Sequence, residues 1–270
     1  MNRSKRNAFT ATLALLLSFN APWAVAADPL PPDPEEDRIM RSAGFFSSHP
    51  DLRYRLLGLE ELKQGRHEDA LKFFTRAGFY ADKPSQGMVA EMYWTGQGTQ
   101  VDPVLGYIWM DLAAERGYEG FVILRERYWK ALDADQRARA VAEGQALYAK
   151  YGDAAAQPRL DAVLRRGRSR VTGSRVGATG TLQILVPGPG GYESIDGSHF
   201  YHERFWDPKQ YRAWHDAIWK KPRVGRVTVG ELENANEVPS RIPETTPQTD
   251  AVEPDTPERD ETGLGTARDD

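Results

Sequence analysis

The sequence predicts a mainly α protein: a short array of helix pairs, then a small mixed α/β module, then an acidic tail. Three observations carry that expectation. Apolar side chains recur at helical spacing from Leu59 to Leu164. Branched residues alternate around glycines between Val171 and Val229, and Glu231 to Asp270 is built of acids, Pro and Thr.

The first element is a targeting segment. Arg3, Lys5 and Arg6 precede the apolar run Ala8–Phe19, and Ala24-Val25-Ala26 supplies small residues for cleavage before Ala27. Residues 1–26 are therefore expected to be a signal peptide, and the mature chain to be periplasmic or secreted. No later segment is long and apolar enough to span a bilayer. The chain has no cysteine, which excludes disulfides, a lipidated cysteine and a cysteine nucleophile. Residues 27–50, with the prolines and acids of Asp28–Asp37, are expected to be a flexible lead-in.

The most informative stretch is Ala90–Gly117, which describes two helices and their connecting loop. Tyr93 stands near the end of the first helix, and Gly96 and Gly98 break it. Asp102-Pro103 restarts the helix as N-cap and first helical residue. Leu105, Trp109, Leu112 and Ala113 then share a face, small residues at Gly106, Ala113 and Ala114 admit a neighbouring helix, and Gly117 ends the segment. An earlier copy is visible: Leu59–Gly65 aligns with Ala90–Gly96, and Ala70, Phe73 and Ala77 align with Gly106, Trp109 and Ala113. A helix pair this short cannot bury its apolar face alone and must stack on another.

The ordered set Tyr93, Gly96, Gly98, Asp102, Gly106, Trp109, Ala113, Ala114 and Gly117 resembles a Sel-one-like repeat (SLR), a relative of the tetratricopeptide repeat. The earlier copy, with its shorter turn at Gly65–Glu68, is more similar to an ordinary tetratricopeptide repeat. The resemblance implies a short right-handed α-solenoid over residues 51–167 that acts as an adaptor for other proteins. Downstream, Phe121, Leu124, Tyr128 and Leu132 recur at helical spacing, Asp133 or Asp135 caps a further helix through Tyr148, and Leu160, Val163 and Leu164 suggest a last short one.

Arg165–Arg170 reads as a basic linker, and residues 168–230 as the mixed module. Short strands are expected at Val171–Gly177, Thr181–Val186 and Arg226–Val229, with a helix capped by Asp207-Pro208 running through Trp219. The module's aromatics, Tyr192, Phe200, Tyr201, Phe205, Trp206, Tyr211, Trp214 and Trp219, suit a core, and could alternatively stack on peptidoglycan sugars. Removing the three positive charges of residues 1–26 from the net −4 leaves −7. Residues 231–270 hold twelve acids and three arginines, a net of −9, so the remainder is slightly basic. That tail is expected to be disordered, because its composition offers too little apolar burial to offset chain entropy.

Chemistry-bearing clusters are weak. His199, His202 and His215 lie near Glu203, Asp207 and Asp216, but His199-x-x-His202-Glu203 is not a zinc-hydrolase spacing and no His-Glu-x-x-His occurs. Gly188–Gly191 lacks the Lys-Ser/Thr of a phosphate loop, and no Gly-x-Ser-x-Gly elbow is present. No catalytic residue, cofactor site or metal site is predicted. An exported chain also makes nucleic acid an improbable partner for the arginine run. The expectation is a non-enzymatic adaptor that binds a protein or peptide of the cell envelope. Met92, Trp94, Tyr107 and Met110, beside the repeat's packing face, are its candidate contacts. The alternative is a peptidoglycan-binding or metal-dependent cell-wall enzyme module at 171–230.

Overall fold

The computed structural model describes residues 44–171, 183–188, 191–220 and 239–257, and it is mainly helical with one two-stranded sheet. The expected signal segment, the lead-in up to residue 43, the strands expected through Gly177 and at Arg226–Val229, and tail residues 258–270 lie outside the described residues.

Seven helices come first: α1 (Pro50–Lys63), α2 (His67–Phe79), α3 (Lys83–Thr95), α4 (Pro103–Ala114), α5 (Glu119–Ala131), α6 (Ala134–Tyr151) and α7 (Asp153–Val171). Their starts are chemically marked. Asp82 accepts from the Ser85 amide at α3, and Asp102 from the Val104 and Leu105 amides at α4. Asp133 and Gln136 form a reciprocal capping box at α6.

Through α4 the helices pack as pairs, α1 chiefly on α2 and α3 chiefly on α4, with α2 and α3 in lesser contact. Close approach is built in: a Cβ at Gly106 would meet the Ala90 carbonyl and the Trp94 backbone at 3.2 Å. Gly98, at φ 74°, lies against the His67 backbone, where a Cβ would stand 2.5 Å from its carbonyl, so only glycine fits that loop.

The regular pairing ends after α4. Both α5 and α6 lean on α4, with an opening between them. With α3 on another side, α4 is buried around its whole circumference, and every residue from Gly106 to Ala114 is buried. The main core gathers Phe74, Val89, Met92, Tyr107, Ile108, Trp109, Leu112 and Tyr151.

A hub of buried charge joins α3, α4 and α7. Lys83 is 1 % exposed, and its ammonium donates to the Leu112 carbonyl at 2.8 Å and the Glu115 carboxylate at 2.7 Å. It also stands 3.1 Å from Asp153, which Arg116 grips with both arms at 2.7 and 2.9 Å. Burial works against an ionised Asp153, yet Lys83 and Arg116 together hold its carboxyl well below the usual range.

A second core forms where residues 45–52 meet α7 and the stretch that follows it. The hairpin β1 (Gln183–Gly188) and β2 (Gly191–Asp196) is antiparallel with Gln183 opposite Asp196. It leads into α8 (Gly197–Phe200), α9 (Glu203–Trp206) and α10 (Pro208–Trp219). Phe200, Phe205, Trp206, Tyr211 and Trp214 bury together with Leu160 and Leu164 of α7 and with Phe45, Phe46 and Leu52. Phe45 is fully buried, edge-on to Phe200 and Phe205 at 5.6 and 5.5 Å.

The structure departs from the sequence expectation in two places. Residues 44–50, expected as flexible lead-in, include a 3₁₀ turn at Phe45–Ser48 whose rings anchor this second core. Arg165–Arg170, expected as a linker, is the end of α7, where cations favour the negative end of the helix dipole and Leu164 and Gly167 continue its buried face.

Trp109 is 3 % exposed, with its ring centroid 4.6 Å from that of Tyr151. Trp109→Ala should cost roughly 3–5 kcal/mol in chemical denaturation, and a loss below ~1 kcal/mol would show that this contact is dispensable. A second expectation concerns pH. Burial, reinforced by Asp82, raises Asp51 to about 7, although Tyr211 donates to it at 2.7 Å. The native state therefore keeps a proton that the unfolded chain has lost, and this contribution to stability falls as pH rises from about 4 to 7. Burial lowers His49 to about 4 and His215 well below its ordinary value, so these two act in the opposite sense up to about pH 6.5. Asp51→Asn should gain Tm relative to wild type between pH 4 and pH 7 in calorimetry. A constant difference would refute the raised pKa.

Candidate functional site

The opening between α5 and α6 is not empty. Residues 239–257, expected to be disordered, run across the helices without secondary structure of their own. The composition rule fails here because the segment needs no core of its own: the helices supply a formed groove with partners for a few spaced side chains.

The groove's floor is Asp111 of α4, fully buried and the only charged residue within that helix. Tyr148 of α6 donates to it at 3.0 Å and Arg125 of α5 approaches at 3.5 Å. Ser240 of the docked segment donates its hydroxyl to the same carboxylate. Burial raises the Asp111 carboxyl above its ordinary value, and the hydrogen bond from Ser240, the charge of Arg125 and the Tyr148 hydroxyl oppose that rise. The Tyr148 phenol is pushed well above its usual value by burial and then by Asp111, so it stays a donor.

One wall is α5. Arg241 makes a two-pronged pair with Glu126 at 2.8 and 2.7 Å, and its guanidinium lies 4.9 Å from the Trp129 ring centroid. The Arg241 hydrogen bonds hold the Glu126 carboxyl below its ordinary value, against partial desolvation. The other wall is α6, where Gly144 opens a notch for Ile242, which is 5 % exposed. A Cβ at Gly144 would stand 2.5 Å from Ile242 Cδ1.

Farther along, the Gln248 amide donates to the Ala149 carbonyl at 2.7 Å. Arg159 of α7 donates to the Gln248 and Thr249 carbonyls while lying 3.9 Å from the Phe79 ring centroid. The far end is held by Arg76 of α2, which pairs with Glu253 at 2.6 Å, donates to Thr256 at 2.6 Å and rests over Tyr54. Beside the segment a crevice of about 770 Å³ remains, bordered by Arg116, Arg125, Tyr148 and Pro243.

The residues singled out in the sequence fall elsewhere. Met92 and Tyr107 are fully buried and Met110 is 1 % exposed, so these three are core and not available contacts. The spacing placed Tyr107 and Met110 off one packing face, but α4 has several such faces, covered by α3, α5 and α6, while Met92 lies on α3 within the same core. Trp94 is half-buried and stacks flat on Tyr128 at 3.8 Å, joining α3 to α5.

Among the repeat positions, Tyr93 is half-buried, and Ala113 and Ala114 are buried beside Trp109. Asp102 also pairs with Arg139 at 2.8 Å, tying α6 to the start of α4. Gly96 is the left-handed C-cap of α3, and Gly117 turns the chain between α4 and α5.

His199, His202 and His215 sit on α8, at the N-cap of α9 and on α10. Among the described residues no group of three or more His, Cys, Asp or Glu could hold a metal ion. No described helix is long and apolar enough to cross a membrane.

The groove residues Asp111, Glu126, Gly144, Arg241 and Ile242 were absent from the sequence-derived candidates. A signal existed: Asp111 is a lone charge in an apolar helix, and Arg241-Ile242 interrupts an acidic tail. Arg241→Glu, which sets a carboxylate against Glu126, should abolish hydrogen-exchange protection of the Gln248 amide while α1–α4 stay protected. Unchanged protection at Gln248 would mean the Arg241 anchor is not needed for docking. No protein-family model, curated protein or solved structure matches this chain.

Proposed function

We propose that this chain is an exported, non-enzymatic adaptor whose helices form a short right-handed α-solenoid of SLR-like pairs and hold a protein partner of the cell envelope. The observation that carries this reading is the groove over α4, which accepts an unstructured peptide segment through separate side-chain anchors on Asp111, Glu126 and Gly144. A surface built this way recognises sequence in an irregular chain segment, the usual task of an adaptor. The exported location rests on Arg3, Lys5, Arg6 and the apolar run that follows them.

The rival reading, a glycan-binding or cell-wall enzyme module at 171–230, draws less support. Its aromatics Phe200, Phe205, Trp206, Tyr211 and Trp214 are engaged with one another and with Phe45. Tyr192 is the large exposed ring of its hairpin, at 79 %.

The test is cross-linking in the native envelope from a photoreactive residue at the exposed position Gln145, next to the Gly144 notch, followed by mass spectrometry. One dominant protein partner is expected, lost when Gly144→Ala closes the notch. Peptidoglycan fragments, or no protein above background, would overturn the adaptor reading.

A further inference from the structure

The segment already seated in the groove specifies what the groove selects. Its anchors occupy consecutive positions: a hydroxyl at Ser240 on a buried carboxylate, a guanidinium at Arg241 on Glu126 and Trp129, and a branched aliphatic at Ile242 in the Gly144 notch. Pro239 and Pro243 flank them. Proline fixes its own φ and biases the residue before it towards extended backbone, so such a segment loses little conformational freedom on docking.

The surface is chemically polar along its length. The α5 end offers a carboxylate and an indole to a cation, whereas the α2 end offers Arg76 to the acid Glu253. Between them Arg159 reads the backbone carbonyls of Gln248 and Thr249 and is indifferent to side chains. An open crevice of about 770 Å³, lined by Pro243, Thr245 and Arg116, remains beside the resident segment, which therefore does not fill the site.

Resting on the adaptor reading, we infer that the partner presents a proline-flanked Ser/Thr-Arg-Ile/Val segment, bent at its Arg-Ile pair as the resident one is, with an acid about a dozen residues downstream, and that residues 239–256 are its stand-in within the same chain. The partner's segment and the chain's own compete for one groove. The resident segment has the advantage of covalent attachment, which acts as a high local concentration. The partner gains by filling the crevice.

A fluorescent peptide of residues 239–256 tests this in full-length protein. In the chain carrying Arg241→Ala and Ile242→Ala, whose own segment has lost two anchors, the peptide should bind saturably and at least tenfold more tightly than to wild type. Arg241→Glu in the peptide should abolish that binding. Adding Gly144→Ala to the chain should abolish it too without lowering Tm, because alanine is the better helix former. Saturable binding with this dependence supports the inference. No saturable binding to a double variant that melts like wild type overturns it, as does binding indifferent to Gly144→Ala.

If the double variant melts early, the peptide is titrated onto wild type and exchange of the Gln248 amide is followed. Residue-specific loss of protection supports displacement, and none at saturating peptide overturns it. The two readings fail separately. A partner cross-linked from position 145 together with an inert peptide removes only the motif, whereas peptide binding without any cross-linked partner removes the adaptor.

Discussion

The architecture depends on a buried cation. Lys83 starts α3, and its ammonium joins the end of α4 through Leu112 and Glu115 to the start of α7 through Asp153. A charge this deep is tolerated only because each of its protons meets an oxygen, and removing one partner of such a buried pair typically costs about 3–5 kcal/mol. What it secures is direction. The entry point of α7 is set against α3 and α4, so Leu160 and Leu164 arrive where Phe45, Phe205 and Trp206 can close over them. Arg116, on Asp153 and the Ala81 carbonyl, locks the same junction from the other side. The two apolar cores are thus coupled by a polar junction whose geometry is more exacting than either.

Much of the helical content was legible from the sequence, because caps and periodicity are local. Asp102-Pro103, Asp133 with Gln136, and Asp207-Pro208 each satisfy orphan amides within a few residues of themselves. The burial of α4 was misread for a reason that is also physical. Pro103–Ala114 is apolar almost throughout, and a helix apolar on all sides is central, not amphipathic. Choosing one stripe as its packing face left Tyr107 and Met110 as nominal surface, whereas α5 and α6 cover them.

The groove was illegible because its parts are far apart in sequence. Asp111, Glu126, Gly144 and Arg241 have no common spacing, and only the divergence of α5 from α6 brings them together. Composition judged the tail by whether it could build a core. Docking onto a formed surface needs only a few anchors, and the chain supplies Ser240, Arg241, Ile242 and Glu253. Phe45 and Phe46 escaped notice similarly: prolines and acids dominate the stretch before them, yet their rings are buried in the second core.

The docked segment is made late, whereas its groove is complete once α7 has been made. At synthesis rates of about 5–20 residues per second, roughly 3–14 s separate the end of α7 from the appearance of Ser240. The helices contact mainly their sequence neighbours, an arrangement that folds quickly compared with that interval. Every newly made copy therefore has the opportunity to pass through a stage in which the groove is assembled and its own occupant does not yet exist. Whatever meets the chain during those seconds meets an open site, and a mature copy of identical sequence does not offer it.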